Sequence, residues 1–169
     1  MLEVGKAGTA GIGKGVLPVL ADGAVVATLR SHSWKEAATA VVGTQEWVFA
    51  RRGKELIGRW AAEPEDAARL RARQTSFWKG TWQADLEGTA VEVQTASLWK
   101  GTHRFVVDGR VVAESGTAGG WSPRPTLTTS VELPLAAQVF LLWLELVVRR
   151  RNSAVAAGAG AAVVAGGAG

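Results

Sequence analysis

Apolar and polar residues alternate one by one along most of the chain. Leu70 and Ala72, for example, alternate with Arg71, and the same period of two recurs at residues 82–87. A strand with this pattern turns one face to a core and the other to water. Segments of this kind, separated by short turns, fill residues 16–131 and predict about ten to twelve strands at the usual spacing of about 8 to 12 residues.

One pair of predicted strands occurs twice. The strings SFWKGTW (76–82) and SLWKGTH (97–103) agree at five of seven positions and lie 21 residues apart. That distance accommodates two short strands and their turns. The repeat therefore predicts one hairpin built twice, with Lys-Gly in each turn.

Residues 134–151, PLAAQVFLLWLELVVRRR, have a different character, since they are apolar on nearly every side of a helix. Pro134 suits the first helical position, and the three arginines meet the negative end of the helix dipole. Such a helix must be buried in a protein or a bilayer. The apolar part, residues 133–148, has only 16 residues, whereas a bilayer core requires about 20. Burial inside the protein is therefore favoured.

Three polar residues interrupt this helix on one stripe. Gln138 and Glu145 are seven positions apart, and Arg149 follows four positions after Glu145. An acidic residue four positions before a basic one is the favourable order for an ion pair on a helix. We therefore predict a Glu145–Arg149 pair within one satisfied polar seam.

Many strands and one helix that is apolar all round leave few arrangements. A closed barrel removes the exposed strand edges, and a helix through its middle is covered on every side. We predict a mainly β protein, a closed antiparallel β-barrel of about 12 short strands around a central hydrophobic C-terminal α-helix. Residues 1–15 are predicted to be a flexible Gly-rich arm, residues 16–151 the barrel domain with its helix at 134–151, and residues 152–169 a disordered Ala/Gly tail. The protein is expected to be a monomer.

Composition excludes several kinds of chemistry. The 169 residues contain no cysteine, which excludes disulfides, cysteine zinc sites and a thiol nucleophile. Nineteen Lys and Arg against 15 Asp and Glu give a formal charge of +4, an excess too small to indicate a nucleic-acid-binding protein. The first residues lack the apolar core of a secretory signal, so we expect a cytoplasmic protein.

No motif in the chain predicts catalysis. GTAGIGKG (8–15) approaches the phosphate-binding pattern GxxxxGK[ST], but Gly15 replaces the hydroxyl residue, no apolar strand is predicted before it, and Pro18 follows where a helix should begin. His32 and His103 have no acidic residue or cysteine at a metal-ligand spacing and are expected to be surface or turn residues. No serine lies in a GxSxG elbow, and no facing pair of carboxylates is specified. We expect neither an enzyme nor a cofactor nor a metal site.

The repeated WKGT string supports one binding hypothesis. If Trp78-Lys79 and Trp99-Lys100 lie in neighbouring turns, two indoles and two ammonium groups form a patch able to enter the headgroup region of an anionic lipid surface. The basic residues at the helix end would add to this patch: Arg149, Arg150 and Arg151. The interpretation that we favour is structural: the Trp side chains cap the barrel end, because eight Trp without a Tyr suggest that Trp supplies core bulk.

The layout is similar to that of a known superfamily. A turn of type DGRVVA (108–113), a final strand LTTSVEL (127–133) and a buried C-terminal helix resemble the tubby C-terminal-like proteins, which include the phospholipid scramblases and the LURP-one-related proteins. The resemblance covers about residues 16–151 and implies a barrel of twelve strands around a central hydrophobic helix. The signature strings of tubby proper and the cysteine-rich and Pro-rich segments of scramblases are absent from the sequence. The resemblance therefore implies a LURP-one-like form without established catalytic residues.

Three functions fit these observations. The first is a non-enzymatic module that binds anionic lipid or a membrane surface, which the resemblance, the basic helix end and the Trp-Lys pairs favour. The second is a structural or regulatory protein-interaction domain. The third is a single-pass membrane-anchored protein.

Overall fold

The computed structural model describes residues 1–32 and 35–165, with side chains described as far as residue 158. In this part of the chain twelve strands precede one helix. The strands are β1 (Leu2–Val4), β2 (Leu17–Ala21), β3 (Ala24–His32), β4 (Ala37–Val42), β5 (Gln45–Arg52), β6 (Glu55–Trp60), β7 (Leu70–Ser76), β8 (Thr81–Leu86), β9 (Thr89–Ser97), β10 (Thr102–Val107), β11 (Arg110–Ala118) and β12 (Arg124–Thr129), and the helix is α1 (Leu135–Ala165).

The described strands form a closed barrel. Each strand pairs antiparallel with its neighbours in sequence, and β1 pairs with both β2 and β12, which closes the ring. The predicted closed antiparallel barrel of about 12 strands is confirmed. The sequence repeat forms the hairpins β7–β8 and β9–β10, as predicted.

The strand that closes the barrel comes from the predicted flexible arm. Leu2 and Val4 are buried, and Arg124 Nη2 donates a hydrogen bond of 2.7 Å to Glu3 Oε1 between β12 and β1. The prediction of a flexible arm is therefore wrong for residues 2–4. Three residues carry too little alternation to be recognised as a strand from the sequence.

A strand does precede residues 8–15, but strand β2 follows them, so the strand-to-helix context of a phosphate-binding loop is absent.

Helix α1 fills the interior of the barrel. Residues 139–144 are at most 1% exposed. Phe140 and Trp143 each pack on Phe49 of β5 with ring centroids 5.4 Å apart. Gly58 of β6 leaves room for this contact, since a Cβ there would lie 3.1 Å from Phe49 Cδ1 and 3.2 Å from Phe140 Cδ2. The predicted central hydrophobic helix is confirmed.

The helix is longer than predicted. It spans Leu135–Ala165, so residues 152–165, predicted to be a disordered tail, are helical, and residues 166–169 lie outside the described part. Alanine has the highest helix propensity, and a helix nucleated inside the barrel propagates into an Ala-rich segment at little cost. Within the described residues, no helix is both long and apolar enough to cross a bilayer.

Successive connections alternate between the two ends of the barrel, because neighbouring strands run in opposite directions. One end holds the two-residue turns Asp22-Gly23, Glu87-Gly88 and Asp108-Gly109, whose residues all have positive φ, as type I′ hairpin turns require. The connection after β12 lies at this end too, so α1 enters the barrel there. Its residues 149–151 therefore emerge at the opposite end.

Candidate functional site

All six lysines of the chain lie at the end of the barrel from which α1 emerges. We call it the lysine end. It consists of the connections at residues 5–16, 33–36, 53–54, 77–80, 98–101 and 119–123, of which residues 33 and 34 are outside the described part. The six exposed lysines are Lys6, Lys14, Lys35, Lys54, Lys79 and Lys100. None of their ammonium groups forms an ion pair with a described residue.

The opposite end of the barrel carries the opposite charge. Its connections contain one basic residue, Arg69, and seven acidic ones: Asp22, Glu63, Glu65, Asp66, Glu87, Asp108 and Glu132. The connections of the lysine end contain one described acidic residue, Glu36. A modest net charge of +4 thus hides a strong separation of charge along the barrel axis. Such a field orients the molecule near an anionic surface with the lysine end forward.

The two turns at residues 77–80 and 98–101, the WKG turns, are built alike. In each, the serine that precedes the turn accepts a hydrogen bond of 3.2 Å from the N–H of the lysine. The glycine of each turn has a φ of +60° or +58°, a conformation that residues with a Cβ rarely adopt. The repeated string therefore specifies two neighbouring turns of the same geometry.

Large apolar side chains at the lysine end project into solvent. Trp78 is 92% and Trp99 97% exposed, and Phe77, Leu98 and Trp121 are exposed as well. The predicted capping role for Trp78 and Trp99 is wrong, because a side chain that caps a barrel is buried by it. Trp does supply core bulk elsewhere: Trp47, Trp82 and Trp143. Exposed aromatic groups gathered at one place are typical of an interaction surface.

Two of the predicted contact arginines are held by the protein itself. Arg149 Nη2 donates hydrogen bonds of 2.9 Å to Gly116 O and 2.7 Å to Thr117 Oγ1 on β11. Arg151 Nε and Nη2 donate to the two carboxylate oxygens of Glu36 at 2.6 and 2.7 Å. These two arginines attach the emerging helix to the barrel rim and contribute less to a contact surface than the lysines do.

The Glu36 carboxylate responds to this contact. The hydrogen bonds from Arg151 lower its pKa below its ordinary value of 4.5, and the positive charges of Arg151, Arg51 and Arg150 act in the same direction. Glu36 therefore stays ionised at neutral pH and neutralises part of the charge of Arg151.

A cavity of about 400 Å³ opens at the lysine end between the WKG turns and α1. Its walls are mainly apolar: Phe77, Trp78, Trp82, Leu98, Val148 and Val155. Polar groups contribute to the lining at Gln74, Thr95, His103, Arg151 and Asn152. The Arg151 guanidinium carbon lies 5.1 Å from the centroid of the Trp82 ring, which forms a cation–π contact in the cavity wall.

His103 forms a buried pair with the helix. His103 is 4% and Glu145 1% exposed, and His103 Nδ1 shares a hydrogen bond of 2.9 Å with Glu145 Oε1. The expectation that His103 is a surface or turn residue is wrong. The predicted Glu145–Arg149 pair is wrong too, because Glu145 faces β10 whereas Arg149 reaches β11. The three polar residues do share one stripe of the helix, but Glu145 and Arg149 have partners other than each other. Gln138, for which no partner was predicted, donates a hydrogen bond to the carbonyl of Leu133.

The repeat shows how this pair arises. His103 occupies the seventh position of the second string, where the first string has Trp82, and both side chains point into the barrel. Replacing the indole by an imidazole at this position gives Glu145 a partner. Glu145 Oε2 has no hydrogen-bond partner among the described residues. The hydrogen bond to His103 is therefore the one that compensates the burial of this carboxylate.

The structure gathers all seven predicted contact residues at the lysine end. Sequence reasoning missed the other four lysines, Trp121, the cavity and the His103–Glu145 pair. One signal for the lysines was present, because five of the six lysines adjoin a glycine. The pair joins residues 42 positions apart and has no local signature.

Comparison of the chain with protein-family models, curated proteins and solved structures finds no match in any of the three. The candidate site therefore rests on the geometry of this chain alone.

Proposed function

We propose that the lysine end of the barrel binds the surface of a membrane that contains anionic lipid. The observation that carries this proposal is the shared location of six exposed lysines and, among the described residues, three exposed tryptophans, with acidic residues concentrated at the other end. The protein acts as a binding module, and no step of this function requires bond chemistry.

The charge supplies attraction and orientation. Each Lys or Arg close to an anionic membrane surface contributes about 1 kcal/mol at physiological salt. Several lysines at one end can act together, since they lie in connections that face the same way. The acidic end is repelled by the same surface, so the molecule binds with the barrel axis close to the membrane normal.

The exposed apolar groups supply the second part of the affinity. Trp side chains favour the headgroup region, where the ring is shielded and the indole N–H stays hydrated. Trp78, Trp99 and Trp121 lie in connections of the lysine end, and Phe77 and Leu98 extend the apolar surface beside them. Charge and aromatic insertion act on the same face, which is the combination expected of a peripheral membrane protein.

Vesicle co-sedimentation tests the proposal with a matched pair of charge reversals. Lys100→Glu at the lysine end should weaken binding to phosphatidylcholine vesicles that contain phosphatidylserine by about tenfold or more. The substitution changes the charge by two units, and each unit contributes about 1 kcal/mol to binding. Arg110→Glu makes the same change in net charge next to the acidic end and should have little effect. Trp99→Ser should weaken binding without changing its salt dependence.

Two outcomes would contradict the proposal. The first is equal binding of the protein to neutral and anionic vesicles, and the second is an equal effect of the two charge reversals. Pull-down of a protein partner through the lysine end without lipid would then select the interaction-domain alternative. Kinship with the tubby C-terminal-like superfamily, in which scramblases act on phospholipid membranes, stays a prediction that agrees with the lipid proposal.

A further inference from the structure

The cavity between the WKG turns and α1 has the size and lining of a ligand site. Its volume of about 400 Å³ lies within the range of about 300 to 1,000 Å³ of small-molecule pockets. Apolar side chains form most of its wall, and a few polar groups converge in it. This combination selects a molecule with a long apolar part and one polar head.

The polar part of the lining includes an imidazole and a guanidinium group, those of His103 and Arg151. His103 lines the cavity, and its Nδ1 is occupied by Glu145, so Nε2 is the ring nitrogen available to a molecule in the cavity. The bond to the buried Glu145 carboxylate fixes the orientation of the imidazole ring in the cavity wall.

Arg151 provides a donor in the same wall. Its Nε and Nη2 are bound to Glu36, whereas Nη1 makes no hydrogen bond to a described residue. Both side chains are held by carboxylates, Glu145 behind His103 and Glu36 behind Arg151, so their positions are set before a ligand arrives. An oriented guanidinium donor in a largely apolar pocket favours an anionic head.

We propose that this cavity binds a single-chain amphiphile with an anionic head, of the long-chain carboxylate class. The carboxylate accepts a hydrogen bond from Arg151 Nη1 beside His103, and the chain lies along Val148, Trp82 and the apolar side chains of the WKG turns. The inference rests on the proposed function in one respect, since the cavity opens at the end that is proposed to face the lipid surface.

The test is calorimetric titration of the full chain with dodecanoate below its micelle concentration and without vesicles. We expect one binding site. Dodecanol, which has the same chain and no charge, should bind about tenfold or more weakly, since charge-assisted hydrogen bonds are about twice as strong as neutral ones.

Two Trp substitutions on α1 locate the site. Ala156 lines the cavity, so Ala156→Trp should fill it and weaken dodecanoate binding by about tenfold or more. Ala157→Trp changes the next residue, which does not line the cavity, and should leave the affinity within about twofold of the parent chain. Both positions are exposed, so neither substitution disturbs the core, and melting curves of the two variants should coincide.

The results separate this inference from the proposed function. Ala156→Trp should retain binding to anionic vesicles, and Lys100→Glu should retain binding of dodecanoate. The inference is overturned if dodecanoate does not bind, if the two Trp variants bind it equally, or if dodecanol binds as tightly as dodecanoate. Loss of vesicle binding alone would overturn the proposed function and leave the cavity assignment intact.

Discussion

At the scale of single residues, Glu36 ties the emerging helix to the barrel rim. It accepts two hydrogen bonds from Arg151, and its pKa is lowered chiefly by these bonds. A carboxylate whose pKa is lower in the folded protein stabilises the fold above its unfolded pKa of about 4.5, and this stabilisation is lost as the pH falls through the lower, folded pKa. We expect Glu36→Gln to lower the free energy of unfolding by about 1 kcal/mol at pH 7.

Urea unfolding at pH 7 and in acid measures this effect. The difference in free energy of unfolding between Glu36→Gln and the parent chain should shrink in acid, because the Glu36 carboxylate of the parent chain is then protonated and neutral, as Gln is. Glu114→Gln is the control, since Glu114 pairs with Arg104 on the exposed barrel surface and should contribute little at either pH. A difference for Glu36→Gln that is the same at both pH values would show that the ion pair does not stabilise the fold.

At the scale of elements, the His103–Glu145 pair joins β10 to the buried helix. Removing one partner leaves a polar group buried without compensation. We expect His103→Leu and Glu145→Leu each to destabilise the protein, the first by about 3 kcal/mol because it strands a carboxylate. The double variant replaces both groups by apolar ones and should recover most of that loss.

A double-mutant cycle by urea unfolding checks this expectation. The coupling between the two positions should be favourable by about 2 kcal/mol or more, which is typical of residues in direct contact. Additive effects of the two substitutions would mean that the imidazole and the carboxylate do not act as a pair. The cycle also bears on the cavity, because His103 is positioned there by Glu145.

Elements with a clear period could be predicted, and elements fixed by distant contacts could not. The alternation around Leu70 and the Asp-Gly turns specify strands and hairpins locally, and Pro134 marks the start of the helix. Strand β1 has three residues and is held by its pairing with β2 and β12. The helix extension past Arg151 depends on a helix already nucleated inside the barrel, which composition does not reveal.

At the scale of the whole molecule, the separation of charge follows from the closed meander. The lysines are spread over residues 6–100, and nothing in their spacing groups them. Only the alternation of connections between two ends brings them together. The repeat revealed two of them, because it placed Lys79 and Lys100 in equivalent turns. To place the remaining four lysines at the same end, one must know the number and direction of all the strands. Strand β1 completes that set.

The central helix is also what makes the barrel a packed molecule, and two truncations separate its buried part from its exposed part. A chain ending at Leu133 lacks the residues that fill the interior, so side chains such as Phe49 would face a void far larger than folded proteins tolerate. We expect this chain to lose cooperative melting and near-ultraviolet circular dichroism.

A chain ending at Arg151 keeps the buried helix and loses only residues outside the barrel, since residues 152–158 are exposed. It should melt cooperatively and close to the full chain. A sharply melting, soluble β protein that ends at Leu133 would show that the strands form a core without the helix, and the barrel would then need another explanation for its apolar interior.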